Sequence, residues 1–407
     1  MKNIRIFSRI FVGLVFLFSG FVKAVDPLGT AYKFFDYFEA FHLAFLNPFT
    51  LVLSILLSSA ELIIGINLLL GLRMKITSRA LMVFMSVFTL ITLKLAISNP
   101  VSDCGCFGDA IILTNWQTFW KNLIIMVPSL LIFFQRDKFL PFYSCRKEWV
   151  LMTVFTFATI AFSVYNYNNL PLLDFRPYNI GASIPEKMTI PEGSPKDEYE
   201  FSFVYEKEGR QQEFTLENIP DSSWAWLETR QKLISKGYAP PIHDFSITTL
   251  KGDDVTQDVL DDINYTFLIV AYDLQKANKQ SLVRLSKMAE KHKNENIRFI
   301  CLTSSTLDVI EKFTDENKPA FEICTADNIT LKTIVRSNAG LVLLKKGVII
   351  GKWHHRNIPE EFKGDLLAYS LNEQRISKST MALAINALVI IIIALVFHLM
   401  NREKKGK

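Results

Sequence analysis

Six stretches of this chain are apolar and long enough to demand a bilayer around them. They lie near residues 9–22, 49–71, 80–98, 119–134, 150–165 and 381–400, and a helix needs roughly 20 apolar residues to cross the hydrocarbon core. In that core a backbone polar group finds no water, so a chain with such segments must fold them as a helical bundle. Composition agrees: half of the 407 residues are hydrophobic and 33 are Phe, which is too apolar for an ordinary water-soluble protein. The fourth and fifth stretches are short, and Trp116, Trp120 and Trp149 at their flanks extend them into the interfacial layer. The first stretch also admits a second reading as a signal peptide, with Lys2 and Arg5 before an apolar core and Ala24 as a poor cleavage site. The topology of the remainder is the same under either reading.

Charge sets the orientation. The net charge of +5 is concentrated beside apolar segments, a pattern of topology and not of nucleic-acid binding. With the N-terminus inside, one side holds Lys2 and Arg5, then Arg73, Lys75 and Arg79, then Arg136, Lys138, Arg146 and Lys147, and finally Arg402, Lys404, Lys405 and Lys407. On the other side Asp26, Asp36 and Glu39 offset Lys23 and Lys33, and Asp103 and Asp109 flank a Cys104-Gly105-Cys106 motif. Both termini are therefore expected in the cytoplasm, with residues 102–115 and about 166–379 outside. Thr114 reads as the N-cap of the fourth helix, and Gln117 completes a capping box.

Residues 31–45 are rich in aromatic side chains and fit an interfacial helix on the outer leaflet or a helix packed on the bundle. Glu61, deep in the second stretch, is costly there unless it faces the interior with a partner. It reads as a neutral, hydrogen-bonded structural carboxyl, with a proton relay as the other reading. Lys94 lies nearer the outer surface and is expected to snorkel towards Asp103.

Beyond Leu170 the chain turns mixed. Short alternating stretches over residues 180–227 read as strands of a small β-rich linker module. From Ala239 the pattern alternates β and α, with strands at 243–249, 265–272, 297–302, 321–324, 341–344 and 348–352 and helices at 279–291 and 306–314. A hairpin at Lys345-Lys346-Gly347 closes the sheet. The predicted plan is a membrane all-α bundle over 1–168, the linker module over 169–238, an α/β domain over 239–370 and a C-terminal anchor helix over 380–401.

Of the five cysteines, Cys145 falls on the inner side and stays reduced. Cys301 and Cys324 sit in apolar strands and read as buried free thiols. Cys104 and Cys106 admit three readings: a redox pair, a static bridge, or part of a metal site. Two Cys with no nearby His are too few ligands for closed zinc coordination. A disulfide over one intervening residue is constrained and easily reduced, and Gly105 permits the turn. Asp103 and Asp109 oppose thiolate formation, which Lys94 would offset. Cys104 and Cys106 are thus the candidate catalytic residues, with Asp103, Gly105, Lys94 and Glu61 as candidate supporting residues.

Two stretches, RIFVGLVFLFSGFVKAVD (9–26) and VSDCGCFGDAIILTNWQTFWK (101–121), make the first half resemble the DoxX-like membrane proteins and, within them, the methylamine-utilisation family MauE. Residues 239–359 resemble TlpA-like thioredoxin-fold and peroxiredoxin-type domains through Asp244-Phe245-Ser246 and the closing hairpin of 340–353. The CxxC of that family is replaced by Asp273-Leu274-Gln275-Lys276-Ala277-Asn278, and its cis-Pro position by Asn338-Ala339-Gly340. The resemblance implies a DoxX/MauE-like bundle of four to five helices plus an anchor, fused to a degenerate thioredoxin-like domain in a bacterial inner membrane. It also implies a thiol–disulfide or electron-transfer accessory acting on periplasmic client proteins or a thioredoxin-like partner. No cofactor is evident, and a membrane quinone is the candidate electron acceptor. A non-enzymatic scaffold that binds a client is the other functional reading; neither involves nucleic acid.

Overall fold

The computed structural model describes residues 2–376 and 379, apart from Ser102, Phe142, Glu208, Lys236 and Lys363. The expected apolar stretch of 381–400 lies outside the described residues. Among those described, five helices are long and apolar enough to cross a membrane, which makes this a multi-pass membrane protein surrounded by lipid. The bundle runs α1 (Lys2–Val25), α2 (Pro27–Ala40), α3 (Thr50–Leu70), α4 (Met74–Ser98), α5 (Asn115–Phe134) and α6 (Cys145–Asn168). All but α2 are candidate spans, with α3 extended at its start to Ala44.

Small residues set the closest contact in the bundle. A Cβ on Gly20 of α1 would lie 2.6 Å from the Leu62 backbone nitrogen of α3, and one on Gly65 would lie 2.6 Å from the Leu17 nitrogen. Two helices approach this closely in lipid only where side chains are absent, since apolar bulk gives no extra driving force there. Around this seam Val12, Phe16, Ile64, Leu68, Leu81, Met85, Ile125 and Ile132 form the buried cluster. The expected capping box of α5 is present, with Thr114 and Gln117 each satisfying the other's backbone N–H. Helix α2 starts at Asp26, whose carboxylate accepts from the Gly29 N–H, with Pro27 at the position where a missing N–H costs nothing. It packs on α3 and α6, so of the two expectations for the aromatic segment the packed helix is the one observed.

Past the bundle come α7 (Ile184–Met188) and three antiparallel strands, β1 (Glu198–Lys207), β2 (Arg210–Thr215) and β3 (Ala225–Ser235), in the order β2-β1-β3. The second sheet contains β4 (Thr248–Thr249), then α8 (Thr256–Leu260), β5 (Tyr265–Val270), α9 (Lys279–Lys291), β6 (Ile297–Thr303), α10 (Leu307–Asn317), β7 (Glu322–Thr325), α11 (Asn328–Ile334), β8 (Gly340–Lys345) and β9 (Val348–Trp353). Its order is β4-β7-β6-β5-β8-β9, with β5, β6 and β7 parallel, β8 antiparallel to β5, and β9 antiparallel to β8. Alternate residues serve opposite faces, as the period of a strand requires. Phe267, Ile269 and Cys301 pack with α9 and α10, while Leu268, Val270, Leu302 and Cys324 pack with α11. This is a thioredoxin-like α/β sandwich.

Three details differ from the expectation. The strand expected at 243–249 is ladder-paired only at Thr248–Thr249, and α8 and α11 are short helices whose periodicity is hard to see in the sequence. The segment expected as one β-rich module over 169–238 divides in two. Its first part completes the thioredoxin-like core: Tyr178 and Ile184 are buried in it, and the Gly181 and Ile184 N–H groups donate to Ile349 and Gly347 carbonyls. Buried Lys352 of β9 donates to Asp174 at 2.8 Å, and Asp174 also accepts from Arg176 at 2.7 Å. These cations hold the Asp174 carboxyl down at about 2 against the opposing effect of burial.

Candidate functional site

The loop joining α4 to α5 folds into the mouth of the bundle. Gly105 and Gly108 take left-handed backbone conformations (φ 61° and 52°), and a Cβ on Gly105 would also meet Lys33 Cγ at 2.9 Å. Glycine is required at such a position. Asp103 fixes the turn from both sides: Oδ1 accepts from the Gly105 N–H at 2.9 Å, and Oδ2 accepts from Lys33 Nζ of α2 at 2.7 Å. The Tyr37 hydroxyl donates to the Cys104 carbonyl at 2.5 Å. The Cys106 carbonyl accepts from Ser19 Oγ at 2.9 Å and Lys23 Nζ at 2.6 Å, both on α1.

Both cysteines are free thiols in contact with each other. Cys104 is buried, 3.4 Å from Thr118 Oγ1, while Cys106 is half-buried. The two titrate in opposite directions. The hydrogen bond from Cys104 brings the Cys106 thiol down to about 6, with burial opposing and Lys121 and Lys23 adding to the lowering. The same hydrogen bond, together with burial, pushes Cys104 well up. Cys106 is thus the sulfur held lower and Cys104 the one held higher, and the thiolate is the form that attacks in thiol–disulfide exchange.

Lys23 is the pivot of the site. Its ammonium donates to both Glu61 oxygens (3.0 and 2.8 Å) and to Ser19 Oγ (2.7 Å) as well as to the Cys106 carbonyl. Glu61 is thus half of a buried ion pair, not the neutral carboxyl expected. Lys94 does not reach Asp103. It lies over the Phe41 ring at 4.3 Å, since Lys33 already holds that carboxylate. The cations that face the thiols are Lys23 and Lys121, the latter stacked 4.4 Å over Phe107. Of the expected residues, Cys104, Cys106, Asp103 and Gly105 come together directly, Glu61 joins through Lys23, and Lys94 stands apart. Lys23, Lys33, Tyr37 and Lys121 were not foreseen, although Ser19 and Lys23 are spaced i, i+4 to share one face of α1. Beneath the loop is a cavity of about 680 Å³ counting its mouth, lined by both cysteines and by side chains of α1 to α5. Among the described residues no group of three His, Cys, Asp or Glu side chains could hold a metal ion.

The thioredoxin-like domain docks against this loop. Arg336, buried after α11, pairs with Asp26 at 2.8 Å and with Asp109 of the loop at 3.1 Å. Tyr32 of α2 donates to Tyr272 at 3.3 Å, and Lys332 lies over both rings. The Asp273–Asn278 segment, where the resembled family carries its CxxC, holds no cysteine. It is fastened instead to Asn338, whose Nδ2 donates to the Asp273 carbonyl at 2.8 Å. Cys301 and Cys324 are both fully buried, and their register (Cys301 opposite Ile323, Leu302 opposite Cys324) sets them on opposite faces of the sheet. They are isolated core thiols, and burial raises both.

Comparison with curated proteins finds no match. Among solved structures, StoA from Bacillus subtilis is similar at 18% identity and a TM-score of 0.23, covering 26% of this chain and 84% of that one. A thioredoxin-like protein from Aeropyrum pernix is similar at 15% identity and a TM-score of 0.24, covering 29% and 83%. Residues 199–236, the three-stranded sheet, match a domain of unknown function, DUF8463. Residues 1–135, which contain α1 to α5 and the whole cysteine loop, match the family model of the methylamine utilisation protein MauE.

Proposed function

We propose that this protein is a membrane thiol–disulfide oxidoreductase in which Cys106 is the exchanging sulfur and Cys104 the resolving one. The observation that carries the reading is the pair itself: two free cysteines flanking Gly105, Cys104 buried and Cys106 half-buried, in one cavity with Lys23 and Lys121. In the oxidising direction a client thiolate attacks Cys106 of the Cys104–Cys106 disulfide. Cys104 leaves and takes a proton, and the second client thiol then resolves the mixed disulfide. The client gains one disulfide and the pair is left as a dithiol. The positive-inside distribution of Lys and Arg supports a bacterial inner-membrane topology with cytoplasmic termini and with the loop and thioredoxin-like domain in the periplasm. The client is then a periplasmic protein undergoing maturation. The match to the MauE model covers the cysteine loop on which this reading rests, and nothing in this chain makes methylamine its own substrate.

Acid-quenched alkylation in cells, paired with Cys104→Ser and Cys106→Ser variants, tests the reading. Cys104→Ser should accumulate a mixed disulfide through Cys106, and Cys106→Ser should not. A pair that stays fully oxidised under every growth condition, with no adduct in either variant, refutes it. One observation favours a second reading, a non-enzymatic scaffold: the domain has no CxxC and its corresponding face is occupied by the bundle. Under that reading the double Cys→Ser variant keeps full function in client maturation.

A further inference from the structure

We propose that the cavity beneath the cysteine loop binds the head group of a membrane quinone, which reoxidises the Cys104–Cys106 dithiol. The inference rests on the thiol–disulfide reading above and names the acceptor for it. Two features of the cavity point to this chemistry. Its walls are apolar and aromatic, with Phe16, Phe84, Phe88 and Ile125 contributed by helices α1, α4 and α5, which are themselves candidate membrane spans. Such walls suit a largely apolar ligand. At its polar end the same cavity is lined by Cys104, Cys106, Lys23, Lys33, Lys121 and Glu61, so a ring held there meets two thiols, three ammonium groups and one carboxylate together.

The electron count narrows the class. Closing a disulfide from two thiols releases two electrons and two protons, and the acceptor must take all four particles. A quinone becomes a quinol by that exchange: the Cys104–Cys106 S–S bond forms, the electron pair and the Cys104 proton pass to the ring, and the second proton comes from Cys106 when it is a thiol or from water when it is a thiolate. Lys23 and Lys121 stand where negative charge develops during the transfer, the arrangement in which fixed charges act most strongly.

The test uses the full chain in detergent, with the pair reduced and oxygen excluded, and decylubiquinone as the probe. One quinol should form per protein while Cys104 and Cys106 become resistant to alkylation. Met85→Trp, which fills the cavity wall, should slow quinol formation by about tenfold or more. Because that variant can also fail to fold, equilibrium dialysis of decylubiquinone against the Cys104→Ser/Cys106→Ser protein is the second measurement; it should show binding without reduction. A wild-type pair that oxidised glutathione oxidises but decylubiquinone does not overturns the quinone inference alone. A pair that neither oxidises overturns the thiol reading beneath it. Quinol formation at the wild-type rate in a folded Met85→Trp protein, or no binding to the double variant, refutes the cavity as the site.

Discussion

Replacing Arg336 with Met removes a guanidinium that joins the thioredoxin-like domain to the cysteine loop while keeping most of its apolar stem. Arg336 is 6% exposed and faces Asp26 and Asp109 at 2.8 and 3.1 Å. Removing one partner of a buried ion pair costs about 3–5 kcal/mol, because the remaining charge is left without compensation. Here the carboxylate side chains keep 19% and 39% of their exposure, so water recovers part of that loss and about 2–3 kcal/mol is the better figure. At 1.4 kcal/mol per decade the undocked population rises by about 30- to 150-fold. The assay is the rate at which a bulky maleimide modifies Cys106, read beside chymotrypsin cleavage after Leu173 or Phe175. Both should rise in Arg336→Met and fall back when Asp26→Asn and Asp109→Asn are added. Burial already raises the Asp109 carboxyl, and the guanidinium is what opposes it. Docking in the variant should therefore recover as pH falls and protonation neutralises the carboxylate, and weaken as pH rises. Unchanged labelling and cleavage across that range would refute the account of Arg336 as the clasp.

The thiolate itself is checked by pH. Alkylation of Cys106 should show a midpoint near 6, with reactivity present above it and lost below, and Cys104→Ser should move the midpoint upward by removing the largest lowering contribution. Lys23→Met or Glu61→Gln alone should cost about 3–5 kcal/mol by leaving a buried partner uncompensated, whereas the Lys23→Met/Glu61→Leu pair should recover much of the thermal stability in detergent. Gly20→Val should prevent close packing of α1 on α3, since even a Cβ meets the Leu62 nitrogen at 2.6 Å; the measurement is the yield of monodisperse protein in detergent, expected to fall sharply. Cys301→Ala and Cys324→Ala should leave client maturation intact, and in the unaltered protein both thiols should resist alkylation until denaturant is added.

The architecture was legible because its two governing signals are long. Apolar stretches of membrane length and the Lys/Arg asymmetry beside them survive any detail of packing, and the buried run Tyr265–Val270 marks a central parallel strand by itself. The loop motif was also plain, and so was the Thr114–Gln117 capping box. The partners of the site were hidden because a charge near a helix end is ambiguous in sequence. Lys23, in the last turn of the first span, reads as a boundary charge balanced by Asp26, and only the crossing of α1 on α3 turns it towards Glu61. Lys94 was the nearer cation to Asp103 in sequence, yet the fold of α2 brings Lys33 there first. Arg336 follows a short helix and looks like a surface charge, because nothing local records that the bundle lies beneath it. Gly13, Gly20 and Gly65 carried usable information: glycines at one face of two apolar helices signal close backbone approach.

The clasp between Arg336 and the loop has a kinetic meaning for any client. The domain is joined to the end of α6 by only a few residues before Asp174 and Arg176 anchor to it, so it competes for the loop as a tethered ligand and not as a free one. Short tethers give effective concentrations in the millimolar range. A client diffusing at micromolar levels meets a loop whose nearest competitor is roughly a thousandfold more concentrated. Access is then set by how often the domain lifts, and a client that grips the lifted domain gains a turn at the thiols that a stronger affinity for the loop alone would not give it.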